Sequence, residues 1–188
     1  MLEALLTSTA LVATAEIGDK TQLLSFALAA RLKRPGPIIL GILIATLANH
    51  ALAATVGVWA AQFVSPDWQR WIVGIAFIVF GCWALIPDDS TPGYAPSDAG
   101  VFLTTLLAFF IAEMGDKTQL ATIALAARYQ DLIAVTLGTT LGMMIANVPA
   151  VLVGERLARH GAFRYVRFVA AALFIATGVL TLTTSPFS

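Results

Sequence analysis

The chain has 188 residues, of which 59% are apolar and 12% are Asp, Glu, Lys or Arg, against about 45–50% and about 25% in soluble domains. With a mean hydropathy of +0.85 there is too little polar surface to coat a water-facing sphere, so membrane lipid covers most of the exterior and a soluble globular domain is excluded. Eleven basic and eleven acidic residues sum to a net charge of 0 without a basic run, which excludes nucleic acid as a partner. The lone cysteine, Cys82, leaves no disulfide or CxxC pair, so a bound metal has to be held by oxygen or histidine.

In chain order, long apolar stretches alternate with short turn-forming ones. Near the amino end, Ala13-Thr14-Ala15 mimics a signal cleavage site, but Glu3 and the lack of Lys or Arg ahead of it make no basic n-region. That segment is expected to stay and to span. Crossing a ~30 Å hydrocarbon core takes about 20 apolar residues, and six such stretches occur, over 4–30, 36–62, 69–86, 100–127, 132–155 and 164–184. The separators Lys33-Arg34-Pro35-Gly36, Ser65-Pro66-Asp67, the polar run 87–99, Tyr129-Gln130-Asp131 and Arg159-His160-Gly161 all have turn chemistry. Continuous runs such as 38–47 and 169–182 do not alternate in polarity, which excludes a barrel. The sequence predicts an all-α membrane protein, a single transmembrane domain of six helices.

The chain also repeats. Residues 16–31 read EIGDKTQLLSFALAAR and residues 113–128 read EMGDKTQLATIALAAR, identical at 12 of 16 positions with an offset of 97. At the same offset Gly41 matches Gly138 and Gly57 matches Gly154. One three-helix unit is duplicated, as repeat one over 2–86 and repeat two over 100–184, joined by the loop 87–99. Three is odd, so the second copy enters the membrane from the other side, and two inverted three-helix repeats are the architecture of many secondary transporters. Arg31, Lys33, Arg34, Arg156, Arg159, Arg164 and Arg167 crowd one side while only Arg70 and Arg128 mark the other, which predicts both termini outside and 87–99 in the cytoplasm.

Each copy carries charge where lipid does not tolerate it. Glu16, Asp19 and Lys20, and likewise Glu113, Asp116 and Lys117, have apolar flanks on both sides, and one charge at a helix centre costs about 2.5–3.5 kcal/mol on insertion scales. They have to face one another, water or an ion. On a continuous helix, Lys20, Glu16, Asp19 and Gln22 fall on one arc. Gly18 and Gly115 also permit local unwinding, which frees backbone carbonyls. Thr21, Gln22, Thr118 and Gln119 add neutral oxygens, and facing copies would pool four carboxylates into a site for a hard divalent cation such as Ca2+, Mn2+ or Mg2+. Four acids and two lysines leave a charge of −2, which one divalent ion or two protons neutralise. Metal and protons are therefore expected to alternate on the same carboxylates, with Lys20 and Lys117 balancing charge. No resident cofactor is expected beyond the transported ion.

Other polar residues at mid-span, Asn49, His50 and Asn147, are read as standing outside the repeat register, as interhelical contacts with at most a supporting role around the site. Gly138 and Gly142 form a GxxxG suited to helix packing. Cys82, Met114, Met143 and Met144 are assigned to core or lipid-facing surface rather than to a soft metal. Glu16 with Lys20 and Glu113 with Lys117 could be intrahelical i,i+4 pairs that only pin the helices, but buried pairs stabilise poorly and two acids would remain uncompensated.

The duplicated E-x-G-D-K-T, one copy early in each half, closely resembles the E-x-G-D-[KR]-[ST] signature of the Gdt-type cation exchanger family, and the resemblance spans the whole chain. It implies transport of Mn2+ and Ca2+, against H+, with Glu16, Asp19, Glu113 and Asp116 forming the ion path. With no amino-terminal extension, it points to a manganese exporter of the bacterial plasma membrane. Two rival readings remain. A passive cation channel would also use acidic residues but would not couple metal to protons. The Gly-Asp pairs resemble the GxGD of intramembrane aspartyl proteases, although Glu replaces the first Gly and the two Asp share near-identical contexts. The choice of Mn2+ or Ca2+, H+ or Na+ as counter-ion, and the presence of a homo-oligomer are left open.

Overall fold

A computed structural model describes residues 1–84, 100–153 and 163–183 of the chain. The loop 87–99, Gly154, Arg156, Arg159 and His160 lie outside the described residues. The regular structure is helical throughout the described residues: α1 (Leu2–Glu16), α2 (Lys20–Leu32), α3 (Pro35–Ala61), α4 (Pro66–Ala84), α5 (Val101–Glu113), α6 (Lys117–Tyr129), α7 (Leu132–Val153) and α8 (Phe163–Thr183).

The expected first and fourth helices are each broken in two at the charged motif. Ile17 has φ −67° and ψ 116° and Gly18 has φ +84°, while Met114 has φ −67° and ψ 119° and Gly115 has φ +78°. The Asp19 N–H donates to the Glu16 carbonyl at 3.1 Å, and the Asp116 N–H to the Glu113 carbonyl at 3.1 Å. These are the dihedrals and the hydrogen bond of a type II β-turn, whose third position demands a positive φ and therefore Gly. The single helical arc through Glu16, Asp19, Lys20 and Gln22 does not exist, because a left-handed residue interrupts it. Two of the eight helices, α3 and α7, are long and apolar enough to cross a membrane unaided, while α5 is a shorter apolar helix. At about 1.5 Å per residue, α1 and α2 with 15 and 13 residues together reach about 40 Å.

Packing repeats with the sequence. α1 lies against α7 and α5 against α3, α6 packs on α3 and α2 on α7, and α4 lies along α8. A Cβ placed on Gly138 would stand 2.6 Å from the Leu5 carbonyl oxygen and 2.9 Å from the Ser8 Cβ; one on Gly41 would stand 2.9 Å from the Phe102 oxygen and 2.9 Å from the Thr105 Cβ. Every residue in the second contact is its counterpart at the offset of 97. The GxxxG formed by Gly138 and Gly142 is thus a packing groove for α1. Phe77 and Phe174, also 97 apart, stack on each other with ring centroids 6.1 Å apart.

Two apolar clusters result. One joins Leu11, Ala15, Phe77, Leu125, Val135 and Phe174, and the other Leu24, Leu28, Ile38, Ile42, Phe109 and Val151. The first draws on α1 and α6, the second on α2 and α5, so both motif turns fall between them. Large apolar side chains such as Leu52, Trp59, Ile133 and Leu152 are exposed, which suits a surface solvated by lipid.

Candidate cation site

The turn brings the two acids of each copy together. Glu16 closes α1 and Asp19 caps α2, and Glu113 and Asp116 do the same for α5 and α6. All four are buried, both glutamates completely. An Asp at a helix N-cap ordinarily accepts N–H bonds from its own first turn, yet neither Asp19 nor Asp116 makes a side-chain cap. One oxygen of each, Oδ1, reaches across to the other copy, while Asp116 Oδ2 accepts from the Thr118 hydroxyl of its own copy at 3.4 Å. Lys117 Nζ donates to Asp19 Oδ1 at 2.6 Å, and Lys20 Nζ lies 2.9 Å from Asp116 Oδ1. The offset of 97 exchanges the two pairs. The lysines therefore bind the opposite copy, and not the glutamate four residues earlier.

The neutral side chains of the motif shape the turns. Gln22 Oε1 accepts from the Gly18 N–H at 2.8 Å, and Gln119 Oε1 from the Gly115 N–H at 2.7 Å. Each of these amide oxygens, expected as ligands, holds the break with one lone pair, because a glycine N–H freed from the helix ladder needs an acceptor inside the protein, and each keeps a second lone pair. The Thr21 hydroxyl donates to Glu16 Oε2 at 2.6 Å and the Thr118 hydroxyl to Glu113 Oε2 at 3.2 Å, so each threonine orients its glutamate. The other oxygen of each glutamate, Oε1, has no hydrogen-bond partner among the described residues.

Glu16, Asp19 and Asp116 each place a carboxylate oxygen within 4.8 Å of the other two. That span is about twice a 2.3–2.6 Å Ca–O distance, so a single hard cation fits between them. Glu113 is not in this group of three. The donor set is all oxygen, as expected for a hard divalent ion.

The remaining candidates separate. Asn147 is buried and engaged: Ser25 Oγ donates to its Oδ1 at 2.6 Å and its Nδ2 donates to the Met143 carbonyl at 3.0 Å. Gln22 Nε2 donates to the neighbouring Ala146 carbonyl at 2.9 Å, so α7 is tied to the first motif through α2. Asn49 Nδ2 donates to the Phe110 carbonyl at 3.0 Å. His50 is completely buried. The reading that these residues stand outside the repeat fails at one point: residue 50 plus the offset of 97 is residue 147, so His50 and Asn147 occupy equivalent positions in α3 and α7. Ser25 escaped the sequence reading, although it stands one turn beyond Thr21 on the motif helix. Met114 and Cys82 are exposed and Met143 is buried.

A family model described as "Divalent cation/proton antiporter GDT1" matches residues 4–92 and 101–187. A Vibrio cholerae protein named "Putative manganese exporter" is 47% identical over 182 residues, covering 96% of this chain and 91% of that protein. "GDT1-like protein 5" of Arabidopsis thaliana is 29% identical, covering 98% and 97%, and its namesake in Oryza sativa subsp. japonica is 25% identical, covering 95% and 94%. No solved structure matches. Both halves of the chain fall within the match, including both motif turns and the ion pairs that join them, and the chain belongs to the GDT1 family of divalent cation/proton antiporters.

Proposed function

We propose that this antiporter exports Mn2+ from a bacterial cytoplasm in exchange for protons, with the Glu16, Asp19 and Asp116 carboxylates as the ion's first resting place and Glu113 as part of its path. The observation that carries this reading is the pair of ammonium–carboxylate bonds, Lys117 to Asp19 and Lys20 to Asp116, each joining one copy of the motif to the other. In the ion-free site the two ammonium groups stand in for a divalent cation. An arriving ion competes with both for the same oxygens. Glu16 and Glu113, for which no ion pair is seen among the described residues, carry the two protons that neutralise the site when the metal is gone. The resulting exchange is one divalent ion for two protons.

The topology is part of the same proposal. Six spans are formed by α1 with α2, by α3, by α4, by α5 with α6, by α7 and by α8, as two inverted repeats with both termini outside. Several contacts support it, namely the packing of Gly41 and Gly138 at equivalent positions, the stacking of Phe77 on Phe174 and the exchanged ion pairs. α6 packs against α4, whereas α8 leans on α1. Such unequal packing of equivalent elements favours alternating access, because exchanging the two arrangements between the repeats reverses which end is tight. The relative's name is the ground for Mn2+ as the ion and for export as its direction.

Uptake into proteoliposomes holding a pH dye tests the proposal, with Mn2+ and Ca2+ measured separately across an imposed proton gradient. Proton-coupled Mn2+ flux that Glu16→Gln with Glu113→Gln abolishes is expected. Metal flux without proton movement would point to a channel, and flux unchanged in the double variant would remove the motif from the path.

A further inference from the structure

We infer that Gln22, Ser25 and Asn147 are positioning residues of the exchange: they tie the first motif helix to α7, and the opposite-facing state hands that tie to the second repeat, where Gln119 and Thr122 of α6 take hold of Asn49 and His50 on α3. The inference rests on the proposed inverted repeats and adds to them the bonds that break and form. One amide joins the first turn to α7. Gln22 Oε1 accepts from the Gly18 N–H at 2.8 Å, and its Nε2 donates to the Ala146 carbonyl at 2.9 Å. One helical turn beyond Thr21, the Ser25 hydroxyl donates to Asn147 Oδ1 at 2.6 Å, and Asn147 Nδ2 donates to the Met143 carbonyl at 3.0 Å.

The second repeat has the parts for this tie without making it. At the offset of 97, Gln119, Thr122, Asn49 and His50 stand for Gln22, Ser25, Ala146 and Asn147. Gln119 Oε1 holds its own turn through the Gly115 N–H at 2.7 Å, but among the described residues its Nε2 makes no bond to α3. The Thr122 hydroxyl turns back on its own helix, to the Thr118 carbonyl at 2.7 Å. Both His50 nitrogens lack a partner among the described residues although the residue is 0% exposed, and a buried imidazole has an N–H and a lone pair to satisfy. The helices that carry these groups are already packed. α6 lies on α3, and Gly57, two turns beyond His50 on α3, is against the Ile123 carbonyl of α6, where an added Cβ would stand 2.9 Å from the Ala126 Cβ.

Equivalent residues in unequal states are what inverted repeats show in either end conformation, because the opposite state exchanges the two arrangements. Breaking the bonds of Gln22 to Ala146 and of Ser25 to Asn147 frees α2 and the Asp19 at its N-cap. Forming those of Gln119 to the Asn49 carbonyl and of Thr122 to His50 draws in α6 with Asp116. The tie thus moves one carboxylate of the site relative to the other without touching the ion. The far ends of the two helices are unequal as well: Arg128 at the end of α6 donates to the Thr181 hydroxyl of α8, while its counterpart Arg31 at the end of α2 is exposed.

Disulfide trapping of the full chain in nanodiscs, with Cys82→Ala as background, tests this alongside Mn2+ uptake in proteoliposomes. Ser25→Cys with Asn147→Cys should close in this conformation and Thr122→Cys with His50→Cys in the opposite one, and either disulfide should stop uptake until it is reduced. Ser25→Ala should raise the closure rate of the second pair roughly fivefold, and Thr122→Val that of the first by as much, the change that one net hydrogen bond gives. Ser25→Thr keeps the hydroxyl and should leave the second pair at its parent rate, which separates loss of the tie from loss of fold. A second pair that never closes, closure in one repeat that ignores the other, or uptake that survives either disulfide would overturn the inference and leave the export reading standing. Reciprocal closure in a protein that moves no Mn2+ would overturn the export reading and keep the tie.

Discussion

Gly115→Ala decides by its sign whether the motif is a turn or a stretch of helix. Gly115 has φ +78°, and a Cβ built on it meets nothing within 4 Å, so the substitution probes the backbone alone. Holding an L-residue in the left-handed region costs about 1–2 kcal/mol. On a continuous helix the same change would stabilise by about 0.5–1 kcal/mol, because Ala loses less backbone freedom than Gly. The two geometries thus differ by about 1.5–3 kcal/mol in opposite directions, and at this chain length each kcal/mol moves a melting temperature by about 2–4 °C. Thermal unfolding of the purified protein in detergent should show Gly115→Ala melting below the parent. Gly115→Asn should lie between, since Asn tolerates the left-handed conformation better than Ala. Mn2+ affinity should weaken in step, because the turn aims Glu113 and Asp116. A Gly115→Ala protein that melts at or above the parent would refute the broken helix, and with it the Lys20–Asp116 pairing.

Three further outcomes follow from the same geometry. Gly142→Ala would bring a Cβ to 2.7 Å from the Thr9 oxygen and 2.8 Å from the Ala13 nitrogen; both are backbone atoms, so a cost of about 1–3 kcal/mol and slower Mn2+ uptake are expected, while Gly36→Ala, with nothing within 4 Å, should be silent in both assays. A double-mutant cycle on stability with Asp19→Asn and Lys117→Gln should give a coupling of about 0.5–3 kcal/mol that exceeds the coupling between Glu16 and Lys20, and the reverse order would restore the intrahelical pairing. The proposed competition of Mn2+ and protons for the same carboxylates predicts that apparent Mn2+ affinity rises with pH and that binding releases up to two protons per ion, as the linkage relation requires. Calorimetry in buffers of different ionisation enthalpy measures that release, and its absence would separate proton binding from the metal site.

The duplication was legible because it is written in side chains, 12 of 16 identical at one offset, and it pointed to the candidate site without help from the fold. The break was less legible. Hydropathy averaged over a span does not see two residues leave the helix when apolar segments flank them, although Gly at the third place of E-x-G-D is the residue a type II turn requires. The partners of Lys20 and Lys117 were hidden for a different reason: the i,i+4 spacing offers each a glutamate on its own chain segment, and only the tertiary arrangement supplies the aspartate of the other copy at 2.6 or 2.9 Å. The turn-holding role of Gln22 and Gln119 was not legible, because a sequence shows an amide oxygen but not the unpaired glycine N–H beside it.

The placement of charge at the turns explains why neither copy of the motif is self-sufficient. Lys20 and Lys117 are the first residues of α2 and α6, where the positive end of the helix dipole repels a cation by about 0.3–1 kcal/mol. Asp19 and Asp116 stand at the N-caps, where the same field favours a carboxylate, yet they leave their own helices uncapped. Both departures from good local design are relieved only when the copies face each other. In the proposed site, a divalent ion between Glu16, Asp19 and Asp116 would supply the aspartates with a cation and release the lysines from a position where their own helices repel them. In the proposed exchange, tethered and mobile cations thus compete for the same oxygens, which is what an exchanger requires of a site that has to fill and empty in every cycle.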